Sequence, residues 1–464
     1  MRAALATCLS GVLLGCAVGP DYKRPSIDTP PAYRASQAPS SMAVEGGSLG
    51  DEKWWDLFQD PVLQQLIRTA QQQNYDVRIA AARVLQAQAQ LGITRASEFP
   101  IVNAGAQGFA ERNPKIAPVI PTYEAKAAEV DLSVIWNLDF WGKYRRETEA
   151  ARANLLASEW GRRAIQTSVV SSVATAYFQI RELDAALQIA RDTLDLRQHS
   201  LHLTEVLAQN GSASKLDLSQ VQQLVYTAGE TIPDLERQIA QQENALNALL
   251  GTNPGDIARG RALTEQTVPP AVPAGLPSEL LERRPDIREA EQNLVAANAE
   301  IGVAKAAYFP NISLTGLAGY ESYQLRQIFS SSASVWNATG SLTQPVFAAG
   351  SLRAGMQLAR AQEEQVLLTY KQTIINAFQQ VSDALIAYQK NHEFRQQQEL
   401  LTSAAQDADR LSNILYEHGG TSYLQVLTSE TNYFAAQLNL AQAQLNERLA
   451  LVQLYAALGG GWQQ

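Results

Sequence analysis

The sequence contains little cysteine, little histidine and no long apolar segment beyond its N-terminus. Two cysteines and four histidines occur among 464 residues. After the first fifteen residues no run of 18 or more apolar residues is present, whereas a spanning helix needs about 20. The sequence therefore predicts that any membrane crossing is made by a closed β-sheet, which also satisfies its own backbone hydrogen bonds in lipid.

Patterns typical of catalysis or metal binding are missing as well. His199 and His202 lie three residues apart on one predicted helical face, but no third ligand or glutamate motif accompanies them. No glycine-rich phosphate loop follows a strand, and no nucleophile elbow is present. The net charge of -9 is spread along the chain without a basic block. We therefore expect no enzymatic activity, no metal, no cofactor and no nucleic-acid partner.

The N-terminus has the pattern of an export signal. Arg2 precedes an apolar stretch that ends in Leu13-Leu14-Gly15-Cys16. This run is similar to a bacterial lipobox, in which the cysteine becomes the first mature residue and is acylated; the alternative is a signal peptide with a chance cysteine. We expect residues 1–15 to be removed and Cys16 to carry the lipid. Ala17 stands where inner-membrane lipoproteins tend to have aspartate, which favours sorting to the outer membrane.

The chain contains one unit twice. Gly92 recurs as Gly302, and Phe-Pro at 99–100 recurs at 309–310, both at a shift of 210 residues. Gly211 recurs as Gly419 at a shift of 208. A repeat of this length indicates a duplicated domain. The predicted organisation is a signal peptide (1–15), a lipid-anchored segment (16–60), a first repeat (61–251), an inter-repeat linker (252–284), a second repeat (285–459) and a C-terminal tail (460–464).

Each repeat is predicted to contain a helix, two strands, a very long helix, a sharp turn and a returning helix. The two long helices have 67 residues each, or ~100 Å at 1.5 Å per residue. No single globular core needs a helix of that length, so the pattern favours a coiled coil or a helical tube. The predicted helices cover about 61–98, 143–209 and 214–250 in the first repeat, and about 285–308, 351–417 and 422–458 in the second.

The returning helices follow clear turn signals. Asn210 and Gly211 form a left-handed stop signal, and Ser214 is placed to cap the next helix, with Asp217 three residues later. The second repeat has Gly419, Gly420, Ser422 and Gln425 at the equivalent places. We therefore expect two helical hairpins that have the same capped turn.

Four segments alternate with the period of two that is typical of a strand. They cover about 101–112, 125–140, 311–322 and 335–347. Segments of roughly ten residues with apolar-out, polar-in alternation are typical of a transmembrane β-barrel. The alternative is a pair of amphipathic hairpins on a soluble core. In a barrel, a hydrated lumen with modest cation preference would be lined by Glu129, Asp131, Asp139 and Glu321.

The number of strands predicts an oligomer. Four strands cannot close a barrel, and an open edge in hydrocarbon leaves backbone groups unsatisfied at several kcal/mol each. A dimer would provide eight strands, about the size whose interior is filled by side chains, whereas a trimer provides twelve and more room. A water-filled pore therefore favours a homotrimer. The same closure would join the helical pairs into a tube beyond the membrane.

The residues resemble a known family, the outer-membrane factors. These are the TolC-like exit ducts of tripartite pumps, and the resemblance is to the lipoprotein branch that serves resistance-nodulation-division transporters. It runs from Cys16 to Trp462. Its most specific segments are the lipobox with Gly-Pro-Asp-Tyr at 19–22, Trp-Trp-Asp-Leu-Phe at 54–58, Leu-Pro-Ser at 276–278, Leu-Glu-Arg-Arg-Pro-Asp-Ile at 281–287 and the terminal Leu-Gly-Gly-Gly-Trp at 458–462.

The resemblance implies a trimer with a twelve-stranded barrel in the outer membrane, continued by a periplasmic α-helical barrel. A periplasmic adaptor and an inner-membrane pump would be its partners, and its function would be the efflux of small molecules. The hairpins at 209–217 and 417–425 would form the adaptor-facing periplasmic tip. A related exit duct for type I protein secretion and, less in keeping with the residues, a coiled-coil scaffold without a pore are the alternatives.

The same resemblance places a constriction near the second hairpin. An acidic residue in a Val-Leu-Asp-Ala-Gln run commonly narrows the aperture in this branch. Here the run is Val-Leu-Thr-Ser-Glu at 426–430, so Thr428 replaces the acid and a simple aspartate ring is in doubt. The remaining candidates for gate charges are Asp217, Asp407, Asp409, Arg410 and Glu430.

Overall fold

The computed structural model describes residues 17–34, 48–113, 123–266, 272 and 275–462. The expected signal peptide and Cys16 lie outside these residues. The helices are α1 (Trp54–Leu57), α2 (Pro61–Gln73), α3 (Tyr75–Ala96), α4 (Lys143–Gln209), α5 (Lys215–Leu250), α6 (Pro277–Arg283), α7 (Pro285–Ala306), α8 (Ser351–Glu417) and α9 (Tyr423–Ala457). Within the described residues, none of them is long and apolar enough to cross a membrane.

The strands form one antiparallel sheet. They are β1 (Ile101–Asn113), β2 (Tyr123–Leu138), β3 (Asn311–Ser322) and β4 (Ser334–Thr343), in the order β1-β2-β3-β4. Val134 of β2 lies opposite Val102 of β1 and Gly316 of β3, and Gly316 lies opposite Ala338 of β4. Since residues opposite one another share a face, most apolar positions of the four strands lie on one side and the carboxylates of β2 and β3 lie on the other, together with Ile135 and Leu317.

The chain forms two compact units. One comprises Arg83–Ser158, Glu289–Lys371 and the described part of Met1–Ser26, and it contains the whole sheet. The other comprises the described parts of Ile27–Ala82, Glu159–Arg288 and Gln372–Gln464, and it contains both helical hairpin turns.

The first helix of the first repeat differs from the prediction. A single helix was expected over 61–98, but Asn74 has an extended backbone and separates α2 from α3. Its Oδ1 accepts hydrogen bonds from the backbone N of Asp76 and Val77, at 2.8 and 3.1 Å, so the asparagine caps α3. Its Nδ2 donates to the carbonyl of Leu249 at 2.8 Å. The break therefore joins the start of α3 to the end of α5.

An equivalent break occurs in the second repeat. Arg284, 210 positions after Asn74, has an extended backbone between α6 and α7. The following residue is Pro285, which disfavours the helical conformation in the residue before it. The Arg284 guanidinium donates to the carbonyl of Ala457 at 3.0 Å, which joins this break to the end of α9.

The inter-repeat linker is attached through a buried carboxylate. Asp60 caps α2 by accepting from the backbone N of Val62 at 2.9 Å. It also accepts from the Tyr177 hydroxyl of α4 at 2.6 Å and from the linker N of Arg261 at 3.0 Å. Burial opposes ionisation, but these hydrogen bonds hold the pKa of Asp60 below its ordinary value. One carboxylate therefore connects α2, α4 and the linker.

Candidate functional site

The first part of the candidate site is the polar face of the sheet. Glu129 of β2 lies directly opposite Glu321 of β3 and Gln107 of β1. Gln107 Nε2 donates to the Glu129 carboxylate at 2.5 Å. Asp131 lies on the same face and opposite glycines on both sides, at 105 and 319. The sheet thus brings three of the four predicted lumen carboxylates onto one polar face.

Asp139, the fourth, is placed differently. It follows the end of β2 and accepts from the backbone N of Tyr144 and Arg145, at 3.2 and 3.0 Å. Its carboxylate also pairs with the Arg145 guanidinium at 3.3 Å. Asp139 therefore holds the start of α4, and the strand face does not include it.

The first hairpin, at 209–217, has the predicted capped turn. Gly211 has a φ of 76°, and the backbone N of Ser212 donates to the Leu207 carbonyl at 2.8 Å, which closes α4. Ser214 Oγ accepts from the backbone N of Asp217 at 3.1 Å, and the Asp217 carboxylate accepts from the backbone N of Ser214 at 2.9 Å. Both partners of a capping box are present.

The second hairpin, at 417–425, closes its first helix in the same way but caps the next one differently. Gly419 has a φ of 72°, and the backbone N of Gly420 donates to the Leu415 carbonyl at 2.7 Å. The expectation of an equal cap is wrong here, because the Ser422 side chain makes no capping hydrogen bond. The backbone N of Gln425 donates to the carbonyl of Ser422 at 3.0 Å instead.

The predicted gate charges fall into two groups. Asp217 is held in the capping box, and hydrogen bonds from Ser214 lower its pKa. Asp407 and Arg410 form an exposed ion pair of 3.3 Å within one turn of α8. Exposed pairs of this kind contribute about 0.3–0.5 kcal/mol, so these three residues are solvated surface in the conformation described. The other two, Asp409 and Glu430, are partly buried.

Glu430 interacts electrostatically with Asp409 and with a cation that sequence reasoning missed. Arg197 of α4 is 3% exposed, donates to the Leu224 carbonyl of α5 at 2.9 Å and lies 5.1 Å from the ring centre of Phe434 in α9. Its Nε has no hydrogen-bond partner among the described residues. We call Arg197, Asp409 and Glu430 the tip cluster.

Burial disfavours the charged forms of all three residues of the tip cluster. Burial raises the pKa of Asp409, and burial together with the charge of Asp409 raises that of Glu430, although Arg197 opposes this second shift. Burial lowers the pKa of Arg197.

The sequence contains one signal for the burial of Arg197. This residue continues the buried stripe of Ala186 and Ala190 at helical spacing.

The first described residues of the chain contact the segment that follows β2. The backbone N of Val18 donates to the carbonyl of Trp141 at 3.0 Å, and the Trp141 ring stacks on Phe309 with centroids 4.7 Å apart. Gly19 has a φ of 120° and lies so close to Gly302 that an added Cβ would be 2.6 Å from its Cα. This contact requires glycine at both positions.

No group of three or more histidine, cysteine, aspartate or glutamate side chains suited to a metal ion occurs in the described ranges. His199 and His202 are both exposed on α4.

A sheet with one apolar and one polar face, joined to duplicated helical hairpins, defines a subunit of a membrane channel. The family model described as outer membrane efflux protein matches residues 66–252 and 276–460. The chain is 38% identical over 465 residues to the probable efflux pump outer membrane protein TtgC of Pseudomonas putida, covering 98% of this chain and 94% of that protein.

Two further comparisons agree. The cation efflux system protein CusC of Escherichia coli is 35% identical over 459 residues, covering 98% of each chain. The solved outer-membrane channel OprN superposes with a TM-score of 0.89 at 30% identity, covering 97% of this chain and all of that one. The chain belongs to the outer membrane efflux protein family. It is an outer-membrane exit duct for efflux, and the predicted fold, function and localisation are confirmed.

Proposed function

We propose that three copies of this chain form a gated, lipid-anchored duct that carries small molecules out of the cell for a tripartite efflux pump. The observation that carries the proposal is the sheet. β1 and β4 are the edge strands of the four-stranded sheet among the described residues, and in lipid each would expose unpaired backbone groups. Pairing β1 of one copy with β4 of the next closes twelve strands around a hydrated interior.

The lumen of this duct would be weakly cation-selective. Glu129, Asp131 and Glu321 share the polar face of the sheet, so three copies place nine carboxylates in the barrel. A reversal potential that favours anions in a salt gradient would contradict this assignment.

The lipid anchor would be Cys16. Val18, two residues later in the chain, donates a hydrogen bond to the carbonyl of Trp141, just after β2, which supports an anchor attached to this part of the protein. Acyl chains contribute about 0.8 kcal/mol per buried methylene. A Cys16→Ser variant should lack the lipid mass in mass spectrometry, and it should still need detergent because the barrel remains.

The gate would lie at the two hairpins, which also face a periplasmic adaptor and, through it, an inner-membrane transporter of the resistance-nodulation-division class. The adaptor-facing residues are Asn210, Gly211, Ser214 and Asp217 in the first hairpin and Gly419, Gly420, Ser422 and Gln425 in the second. The tip cluster supports this position, because its buried cation joins α4 to α5 and to α9. Removing that cation would loosen these three helices.

The gate assignment is tested by single-channel recording. Arg197→Met should increase the open probability of the purified trimer, and Asp409→Asn and Glu430→Gln should change it as well. Charge-removing substitutions at the exposed Asp217, Asp407 and Arg410 provide matched controls with smaller effects. Unchanged gating in Arg197→Met would rule out an electrostatic latch at this level.

The passive duct itself is tested with the mature protein in a planar bilayer. A species of three subunits with low, gated conductance and no requirement for a cofactor supports the proposal. A monomer, or a coiled coil that does not conduct, would contradict it.

A further inference from the structure

A second charged cluster lies on α8 and α9, away from the hairpin turn. The Glu447 carboxylate is 1% exposed. It contacts Arg448 Nη1 at 2.9 Å, Arg395 Nε at 2.7 Å and His392 Nδ1 at 2.6 Å. We call these four residues the Glu447 cluster. Two of the three contacts cross from α9 to α8, so the cluster ties the two helices together at one level.

The cluster also holds the inter-repeat linker. Arg448 Nη2 donates to the carbonyls of Leu263 and Gln266, at 3.1 and 2.8 Å. Burial lowers the pKa of Arg448, and burial with the nearby Glu447 raises the pKa of Tyr388 to about 12. Burial is the largest cause of both pKa shifts, and in such a water-poor environment a charged group is stable only beside an opposite charge. Three segments of the chain therefore depend on one carboxylate.

The first repeat lacks this arrangement. At the shift of 208 residues, Ile239 occupies the position of Glu447, and Leu187 occupies that of Arg395. Ile239 is 9% exposed, and Leu187 packs against an apolar cluster that includes Leu235 and Ala190. At these two positions the α4–α5 pair packs through apolar side chains, and its charged contact lies one turn away, where the linker residue Arg259 bridges Asp184 of α4 and Glu243 of α5 at 2.8 and 2.6 Å.

The two kinds of contact respond differently to sliding. Apolar contacts are not directional, so they can re-form after one helix moves by a residue, about 1.5 Å, although the side chains must repack. The buried Glu447 carboxylate would lose its hydrogen bond with His392 and its ion pair with Arg395 in the same movement, which leaves charge uncompensated. The α8–α9 pair therefore has one favoured register at Glu447.

We propose that Glu447 is a positioning residue that locks the register of α8 against α9 and against the linker, so that opening movements of the second hairpin pivot between this level and the turn. The inference deepens the proposed gating function and rests on it. We assign Glu447 no contact with cargo. Its contacts determine which part of the α8–α9 pair can move.

The lock is tested by removing its ties to α8 while Glu447 keeps Arg448. The variant Arg395→Leu/His392→Leu does this, and Arg395→Leu alone serves if the double variant folds poorly. The matched control is Arg191→Leu, which removes an exposed pair of 2.7 Å between Arg191 on α4 and Glu236 on α5. Spin labels at Ala213→Cys and Thr421→Cys in the full chain, diluted with unlabelled protein, report the intrachain distance between the hairpins.

We expect the distance distribution to become at least twofold wider in the double variant and to remain unchanged in Arg191→Leu. An unchanged width in the double variant, or equal widening in the control, would overturn the lock. Conductance of the unlabelled wild type is recorded in parallel. A wild type that does not conduct would refute the duct, whereas the distance measurement still decides the lock, so the two failures can be distinguished.

Discussion

The two helical hairpins have the same backbone and are stabilised by different side chains. Both turns place glycine at positive φ and close the preceding helix with the same hydrogen bonds. The first hairpin then adds a capping box at Ser214 and rests on an apolar contact around Leu187. The second lacks the cap, and its helices carry a partly buried charge at Glu430 and a fully buried one at Glu447. Duplication preserved the path of the chain, and the substitutions placed a side-chain cap at one turn and ion clusters beside the other.

The largest difference between the repeats is expected at Glu447. Glu447→Leu leaves Arg448 buried without its carboxylate and leaves Arg395 with Glu399 alone, which costs about 3–5 kcal/mol. Ile239→Val, at the equivalent place, should cost about 0.5–1.5 kcal/mol. Denaturant titration followed by pulse proteolysis measures both. Equal losses would mean that the two contacts are energetically alike.

The glycines test what the hairpins have in common. Gly211→Ala and Gly419→Ala should each destabilise by about 1–2 kcal/mol, because alanine is strained at positive φ. Nothing lies within 4 Å of an added Cβ at either position, so conformation alone is tested. The losses should agree; a much larger loss at one site would show that the turns are not equivalent.

The serines test where the hairpins differ. Ser214→Ala removes a capping hydrogen bond and should cost about 1 kcal/mol, whereas Ser422→Ala should cost almost nothing. Hydrogen exchange at residues 215–218 and 423–426 reports each helix start separately. Faster exchange in both variants would show that Ser422 also acts as a cap.

The smallest expected effect is a pH response that has opposite signs in the two hairpins. The pKa of Asp217 is lowered, so its stabilisation is present above the unfolded pKa and is lost as the pH falls through the folded value. The pKa values of Asp409 and Glu430 are raised, so their contribution is greatest below the unfolded pKa and is lost as the pH rises through the folded values. Hydrogen exchange at acidic and neutral pH should therefore show the first hairpin loosening in acid and the second tightening. If both hairpins loosened in acid, the proposed contribution of Asp409 and Glu430 to the second hairpin would be wrong.

Part of the candidate site was predictable because it depends on local spacing. The alternation around Val130 and Leu132 placed Glu129 and Asp131 on the polar face, and register with β3 added Glu321. Asp139 has the same odd-numbered spacing, but the strand ends at Leu138 and the carboxylate pairs with Arg145. Thr428 could be recognised as a departure from the family. The helical spacing of Arg197 with Ala186 and Ala190 indicates only which face of α4 it occupies, and its partners Leu224 and Phe434 are far away in the chain.

The sequence by itself determined the duplication, the alternation of the strands, the length of the long helices and the place of both turns. These features depend on period, on glycine at positive φ and on residues within a few positions of each other. Only the tertiary structure decided that Asn74 breaks the first helix, that Ser422 does not cap and that Glu447 joins three segments. Each of these depends on partners far away in the chain, such as Leu249 for Asn74 and Arg395 for Glu447, and no local pattern specifies them.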